Sequence, residues 1–172
     1  MGAGHSNDPT FGLMMSSPVH LLSLGFGTGL APFAPGTFGT LIGLPLFLLI
    51  APLPLVAKIV LYAFLFIIGC WFCAKTGKAL ASHDHSAIVW DEIVAMAIVL
   101  EFAPSGWIWW AIAFLLFRFF DILKPWPISL ADNAHGKSEL AAGFFVMLDD
   151  ILAALCAVIC LVALQYASSL VS

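Results

Sequence analysis

Ile59-Val60-Leu61-Tyr62-Ala63-Phe64-Leu65-Phe66-Ile67-Ile68-Gly69-Cys70-Trp71-Phe72-Cys73-Ala74 carries no acidic or basic side chain and is fenced by Lys58 on one side and by Lys75 and Lys78 on the other. About 20 apolar residues let a helix cross a bilayer, and long basic side chains at its ends reach back to the interface. Outward from this stretch, residues 9–57, 102–117 and 151–172 also lack Asp, Glu, Lys and Arg. The 172-residue chain is 62% hydrophobic and 9% charged, with a mean hydropathy of +1.07. Soluble domains carry roughly 25% charged residues. The composition therefore excludes a soluble globular enzyme and a disordered protein. The formal charge of −4, without a basic patch, excludes a nucleic-acid binder. The length allows one domain.

The pattern predicts an all-α, polytopic membrane bundle of about five main helices, placed between apolar runs and breakers. They cover Thr37 to Ile50, Leu55 to Ala74, Ile88 to Phe102, Trp107 to Leu123 and Phe144 to Leu170. Pro52 and Pro54, Pro104-Ser105-Gly106, and Pro125 with Pro127 interrupt the chain between them. Residues 128–143 read as a polar loop. Residues 11–36 are apolar but rich in Gly and Pro, which suits an N-terminal interfacial or re-entrant segment. Residues 1–17 form a polar N-terminal tail and residues 18–172 a single membrane-embedded domain. No cleaved signal peptide is visible, and the Met1-Gly2-Ala3-Gly4-His5-Ser6 match to a myristoylation pattern is read as coincidence. Cys70/Cys73 and Cys156/Cys160 lie within apolar runs and read as packing residues rather than a redox or zinc site.

The charges are unevenly placed on this zigzag. Lys75, Lys78, Arg118, Lys124 and Lys137 fall at one end and Lys58 at the other, so the positive-inside rule turns the first end to the cytoplasm. Trp107, Trp109 and Trp110 mark the opposite interface. The cytoplasmic end also collects Gly36-Thr37, His83-Asp84-His85, Asp91-Glu92, Arg118, Asp121, Lys124 and Asp149-Asp150. Glu101 alone lies on the far side, with Asp8 in the tail.

Asp91-Glu92 read about one turn inside the third helix, and Asp149-Asp150 at the start of the fifth. There the helix dipole explains one Asp better than two. Adjacent carboxylates at membrane depth are costly unless paired. With Asp84 and Asp121 they outnumber the nearby cations, and a divalent metal would neutralise the excess. All-oxygen ligation favours Mg²⁺, with Mn²⁺ as the alternative, over zinc. The candidate ligands are Asp84, Asp91, Glu92, Asp149 and Asp150. Arg118 and Asp121, at i and i+3, form either a plain ion pair or part of an anion clamp. Lys124 is held by the rigid Pro125-Trp126-Pro127 that follows it. Thr37 fits an N-cap with Gly36 beside it, which either caps the helix or offers its amides to phosphate. Gly39 and Gly43 read as a helix-packing face. His83-Asp84-His85 either supplies metal ligands or an acid/base group, or is a solvated turn. Gly136-Lys137-Ser138 lacks the upstream glycine of a P-loop, and Gly25-x-Gly27-x-Gly29 precedes no βαβ unit.

Four blocks together resemble the phosphatidylglycerophosphatase A family. They are Gly25-Phe26-Gly27-Thr28-Gly29 through Pro35-Gly36-Thr37-Phe38-Gly39-Thr40, His83-Asp84-His85-Ser86-Ala87-Ile88-Val89-Trp90-Asp91-Glu92, Phe117-Arg118-Phe119-Phe120-Asp121-Ile122-Leu123-Lys124-Pro125-Trp126-Pro127-Ile128, and Met147-Leu148-Asp149-Asp150-Ile151-Leu152-Ala153. They occur in order across residues 18–155. The resemblance implies a multi-pass enzyme of the bacterial inner membrane. It would hydrolyse the terminal phosphate of phosphatidylglycerophosphate with Mg²⁺, giving phosphatidylglycerol. The expected catalytic residues are Asp91, Glu92, Asp149, Asp150, Asp121 and His85; Gly36, Thr37, Arg118 and Lys124 are expected to hold the phosphate. Water or a carboxylate is the nucleophile, and His85 or Asp121 the general acid. The partner is a membrane phospholipid, nucleic acid is excluded, and the oligomeric state is open. Two other classes remain: an ion- or proton-coupled transporter, disfavoured because its acids gather at one end, and a metal-dependent phospholipid phosphotransferase, disfavoured because its usual Asp-Gly-x2-Ala-Arg signature is absent.

Overall fold

The computed structural model describes residues 8–82, 85–126, 128–132 and 138–170. His83, Asp84, Pro127 and Lys137, and the tail before Asp8, lie outside the described residues. The chain folds as an all-helical bundle, with no strand among the described residues.

Pro35 opens helix α3 (Pro35–Ile50), where its fixed φ suits the first turn. The start falls two residues before the position read from Thr37. Ala34, in a left-handed conformation, occupies the N-cap, and the Thr37 amide donates to the Ala34 carbonyl at 2.9 Å. Thr37 is therefore a first-turn residue and not the cap. Before α3 come two short helices, α1 (Phe11–Met15) and α2 (Pro18–Ser23), capped by the side chains of Thr10 and Ser17. A 3₁₀ turn follows at Gly25–Leu30. Here the glycine motif has a steric purpose: a Cβ on Gly29 would collide with the Ala87 carbonyl, so the turn packs directly on the segment that leads to Asp91. His20 ties α2 to the next helix through Nδ1 and Thr76 Oγ1, 2.9 Å apart. Burial and the Lys75 ammonium hold its imidazole below the usual histidine range.

Helix α4 (Leu55–Ala79) and the C-terminal α8 (Glu139–Ser169), of 25 and 31 residues, are long and apolar enough to cross a membrane. Ile59, Val60, Phe64 and Ile67 leave an exposed apolar stripe along α4. Large apolar faces of this kind mark contact with lipid or a partner. The third main helix, α5 (Trp90–Leu100), is shorter at both ends than expected. Its 11 residues rise only ~16 Å. It is the core of the bundle, packed by α3, α4 and α8, and by α6 (Trp107–Leu123), whose bounds match the reading from sequence. Residues 128–143 are not one loop. They contain α7 (Ile128–Asp132) and the first turn of α8, capped by Ser138.

Between lipid-immersed helices apolar burial gains little, so close approach through small residues carries the packing. A Cβ on Gly143 of α8 would strike the Cys70 carbonyl of α4, and Ala113, Ala153, Ala154 and Ala157 are buried where α6 meets α8. Cys70 and Cys73 are buried in the α4 packing.

Candidate active site

Three helices bring charged side chains to one cavity of about 250 Å³, and the start of a fourth lines it. From the first turn of α5 come Asp91 and Glu92, from the last two turns of α6 and its cap Arg118, Asp121 and Lys124, from α8 Asp149 and Asp150, and from the start of α3 Pro35 and Gly36. Five carboxylates thus face two cations.

The guanidinium of Arg118 organises one half. Its Nη1 donates to Glu92 Oε1 at 2.8 Å, to Asp121 Oδ2 at 2.5 Å and to Thr40 Oγ1 at 3.4 Å. Thr40 in turn donates to the Gly36 carbonyl at 2.8 Å. Arg118 Nε is buried without a hydrogen-bond partner among the described residues, leaving a donor in reserve. Gly36 and Gly39 make room for this arrangement, because a Cβ on either would meet the Glu92 carboxylate. The glycines read as phosphate cradle and packing face therefore share one steric task here.

Lys124 and Asp149 organise the other half. Lys124 closes α6 in the left-handed region (φ 42°), held by its amide on the Phe120 carbonyl at 2.8 Å. Its ammonium reaches Asp149 Oδ2 at 2.6 Å. Asp149 and Asp150 do not open α8. The helix starts at Glu139, so both lie well beyond the first turn, where the dipole no longer favours them, and both are only 4% exposed. Asp149 Oδ1 accepts from the Asp150 amide, but Asp150 Oδ2 is buried with no hydrogen bond among the described residues. Asp91-Glu92 show the reverse. They occupy the first turn of α5 itself, where the exposed amides favour an anion, and Asp91 Oδ1 accepts from the Glu92 amide at 3.0 Å.

Asp91, Glu92, Arg118, Asp121, Lys124, Asp149, Asp150 and Gly36 thus converge, whereas Thr37 and His85 do not line the cavity. His85 instead accepts from the Ala87 amide at 3.2 Å, which shapes its own loop. Asp84 lies outside the described residues. Thr40 is the site residue that sequence reading missed. Its spacing of four from Gly36, one turn along the same face, was the available signal.

The donor set suits a hard divalent cation: every acceptor is oxygen, acids exceed cations, and Asp150 has an unoccupied acceptor. As they stand, no three carboxylate, His or Cys groups among the described residues form a ready-made ligand cluster.

Residues 21–165 match the sequence model of the family described as phosphatidylglycerophosphatase A. The chain belongs to the phosphatidylglycerophosphatase A family. A phosphatidylglycerophosphatase A from Haemophilus influenzae is 46% identical over 162 residues, covering 93% of this chain and 96% of its own length. One from Escherichia coli is 43% identical over 143 residues, covering 82% and 80%. A putative phosphatidylinositol-3-phosphatase from Bacteroides thetaiotaomicron is 38% identical over 144 residues, covering 77% and 84%. No solved structure matches the chain. Every charged cavity residue lies within the stretch matched to phosphatidylglycerophosphatase A, and the apolar α4 and α8 agree with a membrane protein.

Proposed function

We propose that the protein is a lipid phosphatase of the bacterial inner membrane that removes the terminal phosphate of phosphatidylglycerophosphate on the cytoplasmic side. The products are phosphatidylglycerol and inorganic phosphate. The observation that carries this reading is the single cavity in which Arg118 and Lys124 stand among five carboxylates at one end of an apolar bundle. Its facing follows from the excess of Lys and Arg at that end.

Arg118 and Lys124 donate to the non-bridging oxygens of the phosphate. Glu92 and Asp121 fix the guanidinium from either side, so the fork does not reorient when the anion arrives. Asp91, Glu92, Asp149 and Asp150 would hold Mg²⁺, with Mn²⁺ as a substitute. When bound, the metal supplies compensation for the surplus acids and polarises the phosphoryl oxygens. Water attacks phosphorus in line with the glycerol oxygen: a P–O bond forms, the bond to glycerol breaks, a cavity carboxylate takes the water's proton, and solvent returns one to the glycerol oxygen. The apolar outer faces of α4 and α8 keep the cavity within reach of a lipid that never leaves the bilayer.

The test is phosphate release by the purified full chain from phosphatidylglycerophosphate, with Mg²⁺ and with EDTA. Phosphatidic acid and phosphatidylinositol 3-phosphate serve as competing substrates, the latter because of the Bacteroides relative's name. Metal-dependent release favouring phosphatidylglycerophosphate is the expected result. Release untouched by EDTA removes the metal from the reading. A folded protein that releases phosphate from no lipid overturns it and leaves the transporter to be tested.

A further inference from the structure

A second void, of about 280 Å³, lies between α3, α5 and α6 and is almost wholly apolar. It is roughly twice the ~150 Å³ engineered cavity that accepts benzene. Its floor is Met96 and Leu100 of α5, one wall is Leu44 of α3, and the other is Phe114 and Trp110 of α6. Thr40 lines it as well, while also bonding to Arg118 in the charged cavity.

The register sets the two voids end to end, with the bond from Arg118 to Thr40 at their boundary. Side chains four apart on a helix share a face. On α3 that face runs Gly36, Thr40, Leu44; on α5, Glu92, Met96, Leu100; on α6, Arg118, Phe114, Trp110. Each row begins at a residue of the charged cavity and ends in the apolar void. Eight residues of helix rise ~12 Å, so all three rows pass from the charged cavity to the apolar void over the same depth. The open side carries exposed Leu41 and Trp107, which makes the void a groove open to the bilayer. Trp110 adds a buried indole N–H that makes no hydrogen bond among the described residues.

We infer that this groove takes one acyl chain of the membrane phospholipid whose phosphate occupies the charged cavity. The inference rests on the lipid phosphatase reading for the headgroup alone. A row that is polar at one end and apolar at the other matches a phospholipid and no soluble phosphomonoester. α5 thereby serves both parts of the substrate, with Glu92 at the headgroup and Met96 and Leu100 along the chain.

Two readouts on the full chain test this. The first compares wild type with Ala111→Trp, which fills the groove from an exposed position on its α6 wall, and with Leu115→Trp, which adds the same bulk on the same helix outside it. Phosphate release is measured from phosphatidylglycerophosphate with 16-carbon and with 6-carbon chains. Ala111→Trp is expected to raise KM about tenfold for the long-chain substrate, leaving the short-chain one within twofold, and Leu115→Trp to change neither. An equal loss on both substrates, or no loss from Ala111→Trp, overturns the inference. The second readout needs no turnover: phosphatidylglycerol with a mid-chain diazirine is photolysed in vesicles containing each variant, and labelled peptides are mapped. Labelling concentrated on Leu44, Met96 and Phe114, and lost in Ala111→Trp only, supports the groove even if no lipid is hydrolysed. Labelling spread evenly over α4, α6 and α8 overturns it whatever the activity.

Discussion

At one end of the bundle Glu101 meets Lys58 at 2.6 Å and Tyr62 at 3.1 Å, while Tyr62 also donates to the Ala97 carbonyl. One acid faces one cation, both side chains under a fifth exposed, and they knit α4 to the end of α5. At the other end five acids face two cations around a cavity, and one buried oxygen of Asp150 makes no hydrogen bond among the described residues. Desolvation is costly at both ends, but among the described residues only the first matches acid to base one for one. A balanced buried pair is a fastener. A surplus of one sign around an open volume is held ready for something that arrives with the opposite sign.

That contrast breaks most sharply at Asp150. Asp150→Asn is expected to lower phosphate release roughly a thousandfold, about 4 kcal/mol of transition-state stabilisation, while the protein still inserts. A variant keeping most of its activity would place Asp150 among the fasteners. Gly36→Ala comes next. The new methyl displaces the Glu92 carboxylate, and a misplacement of this kind costs on the order of 10²-fold. Steady-state rates at saturating lipid would show it as a fall in kcat, whereas an unchanged kcat would mean that Glu92 need not sit against α3. Arg118→Lys keeps the charge but loses the fork that joins Glu92, Asp121 and Thr40, so a loss of about tenfold or more is expected in kcat/KM. Equal activity of the two side chains would reduce Arg118 to a point charge. The smallest effect on turnover belongs to the far end. Glu101→Gln is expected to cost about 2 kcal/mol of stability, read by denaturation in micelles, with turnover within twofold of wild type. A large fall in its activity at full folding would erase the distinction between the ends.

Much of this was legible in one dimension. Pro52, Pro54 and Pro125 set helix ends because proline removes a donor and blocks the preceding turn, whereas α5 stops at Leu100, two residues short of the end read from Pro104, and Pro45 is carried inside α3. The run from Trp107 gave α6 both its bounds for the same reason. Arg118 and Asp121 could be grouped because a spacing of three puts them on one face of one helix, and Lys124 because the proline after it ends that helix there. What failed was depth. Asp149-Asp150 read as a helix start, since Gly143 and the polar stretch before it resemble a loop; in fact Gly143 is the contact that lets α8 lie against Cys70 of α4. His85 looked like chemistry because its residue type is reactive, yet the fold spends it on an amide of its own loop.

The sequence by itself determined that this chain is a membrane-embedded helical bundle, and that its charges concentrate at one end. Hydropathy, proline and charge act locally, and the bilayer is a uniform solvent that reads them residue by residue. Only the tertiary structure decided which acids meet which bases, that Gly36 and Gly39 are absent side chains making space for Glu92, and that three helices align their four-residue rows so that a charged cavity and an apolar void lie end to end. Those facts depend on how each helix is rotated about its own axis. That rotation is set by the close contacts of small residues between neighbours, which no single segment carries.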